Sequence, residues 1–252
     1  MAIDLVAIDV GNSRIGYALF RNGIIVENWF CHTTDARSAA DTILTKTEEK
    51  VPIAISSVVP AVTEILQAHL EPGNRSLTVL RDQSMLKNIY PGMGTDRIAN
   101  SIAAWRLYGQ EHPVAVIDLG TATTLSAVSS DGMFRGGFIT LGIGRTLAAI
   151  HNEAAQLPYV SFDPRRAHPN QLSLDTETSI ASGTLAGHIG MMEYWVRVAR
   201  RTLGGDTVTL ATGGWATTVA RYTRVLDFVD TNLTLKGIYL MAEAAMDRAG
   251  RG

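Results

Sequence analysis

Two hydrophobic rhythms alternate along this chain. Short unbroken apolar runs, the mark of buried strands, give way to stretches in which apolar positions recur every three or four residues, the mark of helices. The first run predicts a strand over residues 3–9. Residues 15–20 and 24–31 read as a paired hairpin with Asn22-Gly23 as its two-residue turn. Asp35 is placed to cap a helix reaching about Glu48. A strand follows over 51–57, and Pro60 opens the next helix. Residues 77–80 form another strand, 88–94 are irregular, and a helix runs from Asp96 to about Tyr108.

The pattern then starts again. Strands are predicted over 114–118 and 123–128, with Ser130-Asp131-Gly132 turning into a strand over 134–141. A helix spans 142–155, and Pro158, Pro164 and Pro169 mark a surface loop over 156–174. In the long helix over 176–203, Ile180, Leu185, Ile189, Met192 and Val196 keep helical spacing. A strand over 208–211 and a last helix over 235–248 complete the chain. The restart places a boundary near His112-Pro113, giving an N-terminal lobe of 1–112 and a C-terminal lobe of 113–252.

Each half opens on the same phrase. Ile8-Asp9-Val10-Gly11-Asn12-Ser13 returns as Ile117-Asp118-Leu119-Gly120-Thr121-Ala122, 109 positions later. The aspartate stands where its strand ends, the glycine permits a tight turn, and the small polar residues offer donors to an anion. One Asp-x-Gly after a strand is ordinary turn chemistry. Two copies with matching flanks are an internal repeat, and they suggest two related half-molecules facing one nucleotide.

Composition narrows the class. The 252 residues carry a net charge of −2, so nothing marks a nucleic-acid or membrane-surface partner. Cys31 is the only cysteine, which excludes an intramolecular disulfide or a cysteine metal site, and it reads as a strand packing residue. No signal peptide or 18-residue apolar span is present, so a cytoplasmic protein is expected. The six histidines show no ligand spacing and read as surface or packing residues. No Walker loop and no G-x-G-x-x-G before a helix occurs.

Two strand–Asp–Gly loops and a later Thr212-Gly213-Gly214 resemble the actin, sugar-kinase and Hsp70 superfamily of ATP-using proteins. Residues 90–100, Tyr-Pro-Gly-Met-Gly-Thr-Asp-Arg-Ile-Ala-Asn, narrow the resemblance to the type III pantothenate kinases. The opening Asp9–Ser13, the second Asp118–Ala122, Gly136-Gly137-Phe138-Ile139 with Leu157-Pro158, Thr176 with Ser179-Ile180 and Gly183, and Leu233–Gly237 match that family in order. Two places depart from it. Leu141-Gly142 stands where Pro-Gly is usual, and Glu153-Ala154-Ala155 replaces a Thr-Ala before Leu157-Pro158.

The resemblance implies an α/β fold of two ribonuclease-H-like lobes with the nucleotide cleft between them. It implies ATP-dependent phosphorylation of pantothenate to 4′-phosphopantothenate, the first step of coenzyme A biosynthesis, by a homodimer. ATP phosphates would meet Asp9, Val10, Gly11, Asn12, Ser13, Arg14, Ile15 and Gly16 from one lobe and Gly120 and Thr121 from the other, with Gly213 and Gly214 at the adenosine. Tyr90, Gly94, Thr95, Asp96 and Arg97 would line the pantothenate pocket, with Asp96 as general base and Arg97 on the carboxylate. Thr176 would reach the neighbouring subunit's site. Asp118 would hold a monovalent cation, K⁺ or NH₄⁺, and Asp9 would serve Mg²⁺. Two other readings stand beside this one: a kinase for another small hydroxyl or carboxylate acceptor, and a non-catalytic accessory protein of the same fold.

Overall fold

The computed structural model describes residues 3–71, 77–80 and 85–249. The elements of the first half are β1 (Leu5–Val10), β2 (Arg14–Arg21), β3 (Ile24–His32), α1 (Ala36–Lys46), β4 (Ile53–Ser57), α2 (Pro60–Leu70), β5 (Leu77–Val79) and α3 (Thr95–Ala104). Those of the second are β6 (Val114–Leu119), β7 (Ala122–Val128), β8 (Phe134–Leu141), α4 (Ile143–Glu153), α5 (Thr176–Leu203), β9 (Val208–Thr212), α6 (Ala216–Val219), β10 (Phe228–Val229) and α7 (Leu233–Ala249). The chain divides into two compact units, 1–106 with 232–252, and 107–231.

The first unit is a five-stranded sheet in the order β3-β2-β1-β4-β5, with β1, β2 and β3 antiparallel and β4 and β5 parallel to β1. Alternate residues of β1 and β2 face opposite ways. Val6, Ile8, Val10, Ile15, Tyr17 and Leu19 join Ala36, Ala40, Ile43, Leu66 and Leu70 of α1 and α2 in one core. The other face, with Leu5, Ala7 and Asp9, lies toward α3 and α7. The hairpin turn forms as expected: Asn22 and Gly23 take φ of +50° and +74°, the left-handed pair that suits the twist of two joined strands.

The second unit repeats the plan. Its sheet runs β8-β7-β6-β9-β10, so a hairpin strand, its partner, an aspartate strand and two parallel strands follow one another as in the first. Ala115, Ile117 and Leu119 of β6 pack with Leu147 of α4 and Leu185, Met192 and Val196 of α5. The repeat expected from the two Asp-x-Gly phrases is therefore a repeat of topology.

Several elements differ from the sequence expectation. Asp35 stands at the N-cap of α1, but its side chain makes no capping bond there, because a turn of 3₁₀ helix (Thr33–Asp35) leads into the helix. The helix expected from Asp96 to Tyr108 begins at Thr95 and loosens into a π-helical turn over Trp105–Gly109. The four-residue α6 and two-residue β10 are too short to show any period and were not expected.

The larger correction is to the lobe boundary. The sequence places 113–252 in one lobe, but α7 belongs to the first unit. The cause is local packing. Gly237 lies so close to the α3 backbone that a Cβ there would overlap the carbonyl of Ala99. Thr234 Oγ1 donates to Asn100 Oδ1 at 2.8 Å, and Tyr239 stacks on Phe20 with ring centroids 4.6 Å apart. Leu233, Leu235, Ile238 and Met241 are buried. Gly237→Ala is expected to force the two helices apart and cost about 2–3 kcal/mol, read as a lower urea midpoint with the slope unchanged.

Candidate active site

In the first unit the phosphate-loop candidates form the tight β1–β2 turn. Gly11 N–H donates to the Arg14 carbonyl at 3.0 Å, closing the turn. Thr33 braces it from outside, donating through Oγ1 to the Gly11 carbonyl at 3.1 Å. Asn12 and Arg14 are exposed, and the Arg14 guanidinium lies 4.4 Å from the Phe30 ring centre. The same ring covers Gly16, where a Cβ would come within 2.8 Å of it. Val10 and Ile15 belong to the core, so backbone is all they can offer a phosphate.

Asp9 pairs in register with Gly16 on one side and Ser56 on the other, and paired residues share a sheet face. Ser56 is fully buried, and its hydroxyl donates to Thr95 Oγ1 at 2.9 Å. Thr95 Oγ1 in turn donates to the Ser57 carbonyl at 3.3 Å. The first residue of α3 is thus tied to the strand beside Asp9. Next to it are the two charged residues expected at the pantothenate pocket.

Gly94 is the N-cap, so Asp96 sits inside the first turn, where the exposed amide ends of the helix favour a carboxylate. The Asp96 carboxylate accepts from Arg97 N at 2.7 Å and leans on Gly94, leaving no room for a Cβ there. Arg97 is only 7 % exposed, and its Nη1 donates to the Tyr90 hydroxyl at 2.6 Å. A cleft of about 440 Å³ adjoins Thr95, lined by Ser57, Thr63, Glu64 and Gln67. Tyr90, Gly94, Thr95, Asp96 and Arg97 therefore lie together at the start of α3.

In the second unit three segments converge on the end of β6. Gly120 N–H donates to the Ala122 carbonyl at 3.1 Å, forming the second turn. Gly142 N–H donates to the Thr121 carbonyl at 3.0 Å, and a Cβ on Gly142 would overlap the Gly120 carbonyl. Gly213, at φ +91°, packs against Asp118 Oδ1 and the Leu119 backbone, and Trp215 N–H returns to the Leu119 carbonyl at 3.2 Å. Only glycine meets both the backbone angle and the close approach there. Gly214 beside it is exposed.

Asp118 pairs in register with Thr124 and Thr212. The Thr212 hydroxyl is buried, at 1 % exposure, and has no hydrogen-bond partner among the described residues. One carboxylate and two hydroxyls on one sheet face are the oxygen donors a hard cation takes. No cluster of three or more His, Cys, Asp or Glu side chains able to hold a metal occurs among the described residues. A divalent ion held by one carboxylate and by substrate phosphates needs no such cage.

Thr176 is the first residue of α5 and is exposed. The preceding Asp175 caps the helix by accepting from Thr178 N at 2.9 Å, which holds its carboxyl below the usual carboxylate range. Sequence reasoning missed Ser56 and His188. Ser56 lies in an apolar strand with no chemical signature of its own. His188 reads as one helix position among many, yet both its ring nitrogens lie against backbone carbonyls.

Two sheets of one plan, each with an aspartate at the end of its central strand beside a glycine turn, define the fold of the actin-like and sugar-kinase ATPases. Solved structures agree. A putative 2-dehydro-3-deoxygalactonokinase from Sinorhizobium meliloti matches with a TM-score of 0.58 at 15 % identity, over 96 % of this chain and 99 % of that one. A putative Baf family transcriptional activator from Campylobacter jejuni matches with a TM-score of 0.65 at 20 % identity, over 96 % of this chain and 99 % of that one. The family model for type III pantothenate kinase matches residues 5–198. The type III pantothenate kinase of Paramagnetospirillum magneticum is 32 % identical over 93 % of this chain and 95 % of its own. Type III pantothenate kinase 1 of Symbiobacterium thermophilum is 33 % identical over 95 % of this chain and 96 % of its own. The chain belongs to the type III pantothenate kinases, a family of phosphotransferases. No helix among the described residues is long and apolar enough to cross a membrane.

The Ser56–Thr95 bond can be tested by itself. Thr95→Val keeps the shape of the side chain and leaves the buried Ser56 hydroxyl without its acceptor. We expect a loss of about 1–3 kcal/mol in urea unfolding, recovered in Thr95→Ser.

Proposed function

We propose that this protein transfers the γ-phosphoryl group of ATP to the primary hydroxyl of pantothenate, giving 4′-phosphopantothenate and ADP. The observation that carries the proposal is the anchoring of Asp96. The Asp96 carboxylate stands in the first turn of α3, and the hydroxyl pair Ser56–Thr95 ties that turn to the strand beside Asp9.

Asp96 takes the proton of the pantothenate hydroxyl as its oxygen attacks the γ-phosphorus. The bond to the bridging oxygen of ATP breaks in line, and ADP leaves with the electron pair. Phosphoryl transfer of this kind depends mainly on position and charge. Arg97, held by the Tyr90 hydroxyl, offers a planar fork to the pantothenate carboxylate. The turns Asp9–Gly16 and Gly120–Thr121 present backbone and side-chain donors to the phosphates, and Gly213-Gly214 lies at the adenosine. Mg²⁺, served by Asp9, and a monovalent cation, K⁺ or NH₄⁺, served by Asp118 with Thr212, neutralise phosphate charge when bound. Incubation with ATP, Mg²⁺, K⁺ and pantothenate is expected to give phosphopantothenate by mass spectrometry. Asp96→Asn should lower kcat by about 10²–10⁴ with nucleotide affinity kept. Turnover of a different acceptor, with none of pantothenate, would overturn the assignment.

We also infer a homodimer in which Thr176 completes the neighbouring copy's site. Leu172 and Leu174, immediately before α5, are 100 % and 104 % exposed. Leucines this bare are costly in water, and cover by a second copy would remove that cost. Light scattering should give twice the chain mass. Leu172→Asp with Leu174→Asp should shift it toward the monomer and depress activity in step.

A further inference from the structure

His188 lies on α5 and is 7 % exposed. Its Nδ1 is 2.9 Å from the Thr184 carbonyl one turn back in the same helix. Its Nε2 is 3.0 Å from the carbonyl of Leu141, the last residue of β8. The first contact is local. The second crosses 47 positions of sequence and fastens the end of an edge strand to the longest helix of the unit.

The next residue along the chain, Gly142, carries this bond to the second phosphate turn. Gly142 N–H donates to the Thr121 carbonyl at 3.0 Å, and Gly142 packs so closely on Gly120 that no Cβ fits between them. A peptide in that position cannot shift without moving the Gly120–Thr121 turn. A continuous path of short contacts therefore runs from α5 through the His188 ring to Leu141, Gly142 and the turn. Phe138 of the same strand stacks on Trp195 of α5 at 5.2 Å, so the strand has an apolar anchor as well. That anchor lies three residues before the strand end, whereas the His188 contact holds the exit itself to the helix.

We propose that His188 is a positioning residue for nucleotide binding: through Nε2 it fixes the β8 exit and so holds the Gly120–Thr121 turn in the conformation that receives phosphate. The proposal rests on reading that turn as a nucleotide contact. It makes no claim on the acceptor residues of the first unit, Tyr90, Gly94 and the first turn of α3. Loss of the ring's donor should therefore act on ATP and leave the pantothenate terms alone.

The test compares His188→Met, which keeps side-chain length without a donor, with His188→Gln, which keeps a donor. Calorimetric titration of the full chain with AMPPNP and Mg²⁺ is expected to show about tenfold weaker binding in His188→Met and near wild-type binding in His188→Gln, with KM for ATP moving likewise and KM for pantothenate unmoved. Equal AMPPNP affinity in all three proteins would overturn the proposal, as would an equal rise in both KM values. Amide hydrogen exchange at Gly142 supplies a second measurement in the same proteins: faster exchange in His188→Met than in His188→Gln supports the path, and unchanged exchange refutes it. If His188→Met does not fold, His188→Leu takes its place as the donor-less variant, and the same two measurements against His188→Gln decide it. A wild-type chain that binds no AMPPNP sinks the nucleotide reading itself, and the exchange comparison then shows separately whether His188 holds the turn.

Discussion

The crossing of α7 over α3 at Gly237 is the contact on which the placement of Asp96 and Arg97 depends. Helix α3 carries Asp96 and Arg97 in its first turn, and a helix of ten residues is marginal alone. It is held at three places: by Gly237 against the Ala99 backbone, by Thr234 on Asn100, and by Thr95 on Ser56. The first two come from the far end of the chain. The last helix is thus part of the first unit's core, and a chain ending before residue 232 would leave the buried face of α3 without its cover.

The two sheets share one topology but surround their aspartates differently. Asp9 has glycine and a bonded serine as its sheet neighbours, whereas Asp118 has two threonines, one of them buried with its hydroxyl unmatched by any described residue. A buried hydroxyl without a partner costs free energy, and such groups persist where they serve a ligand. Ser56 spends its hydroxyl on tying down α3, which leaves it committed to structure. The repeat therefore supplies one frame twice with different side chains beside each carboxylate: a hydroxyl committed to anchoring α3 in the first unit, and a hydroxyl unmatched by any described residue in the second.

Much of this was legible in the chain. The repeated Ile-Asp-x-Gly marked both central strands because two copies with matching flanks form an internal repeat, where a single copy would be ordinary turn chemistry. Helical spacing gave α5 its observed bounds, and Asn22-Gly23 gave the first hairpin because its backbone angles admit few residues. The Tyr90–Arg97 segment was readable through its resemblance to the type III pantothenate kinases; by itself Asp96 reads as a helix cap. The unit to which α7 belongs was not readable. Its apolar stripe says that it is covered but not by what, and Gly237 looks like any helix glycine until Ala99 is seen against it. Ser56 and His188 were hidden for the same reason: one polar side chain in an apolar setting states that a partner exists and leaves the partner unnamed.

His188 and Ser56 also show why positioning groups lie outside the recognisable motifs. A motif residue touches phosphate or acceptor, and its type is set by that chemistry. A positioning residue touches backbone or a hydroxyl, and several types can do so from several places. Ser56 reaches Thr95 across the sheet, and His188 reaches Leu141 from a neighbouring helix, so neither spacing is fixed by the reaction. Each motif turn is built on a glycine, and glycine supplies freedom at the cost of order. Short turns with little side-chain mass must be held from outside, and the braces seen here do that: Thr33 on Gly11, Gly142 on Thr121 and His188 on Leu141. Phosphate loops that need close backbone approach thereby require a second layer whose chemistry is ordinary and whose placement is specific.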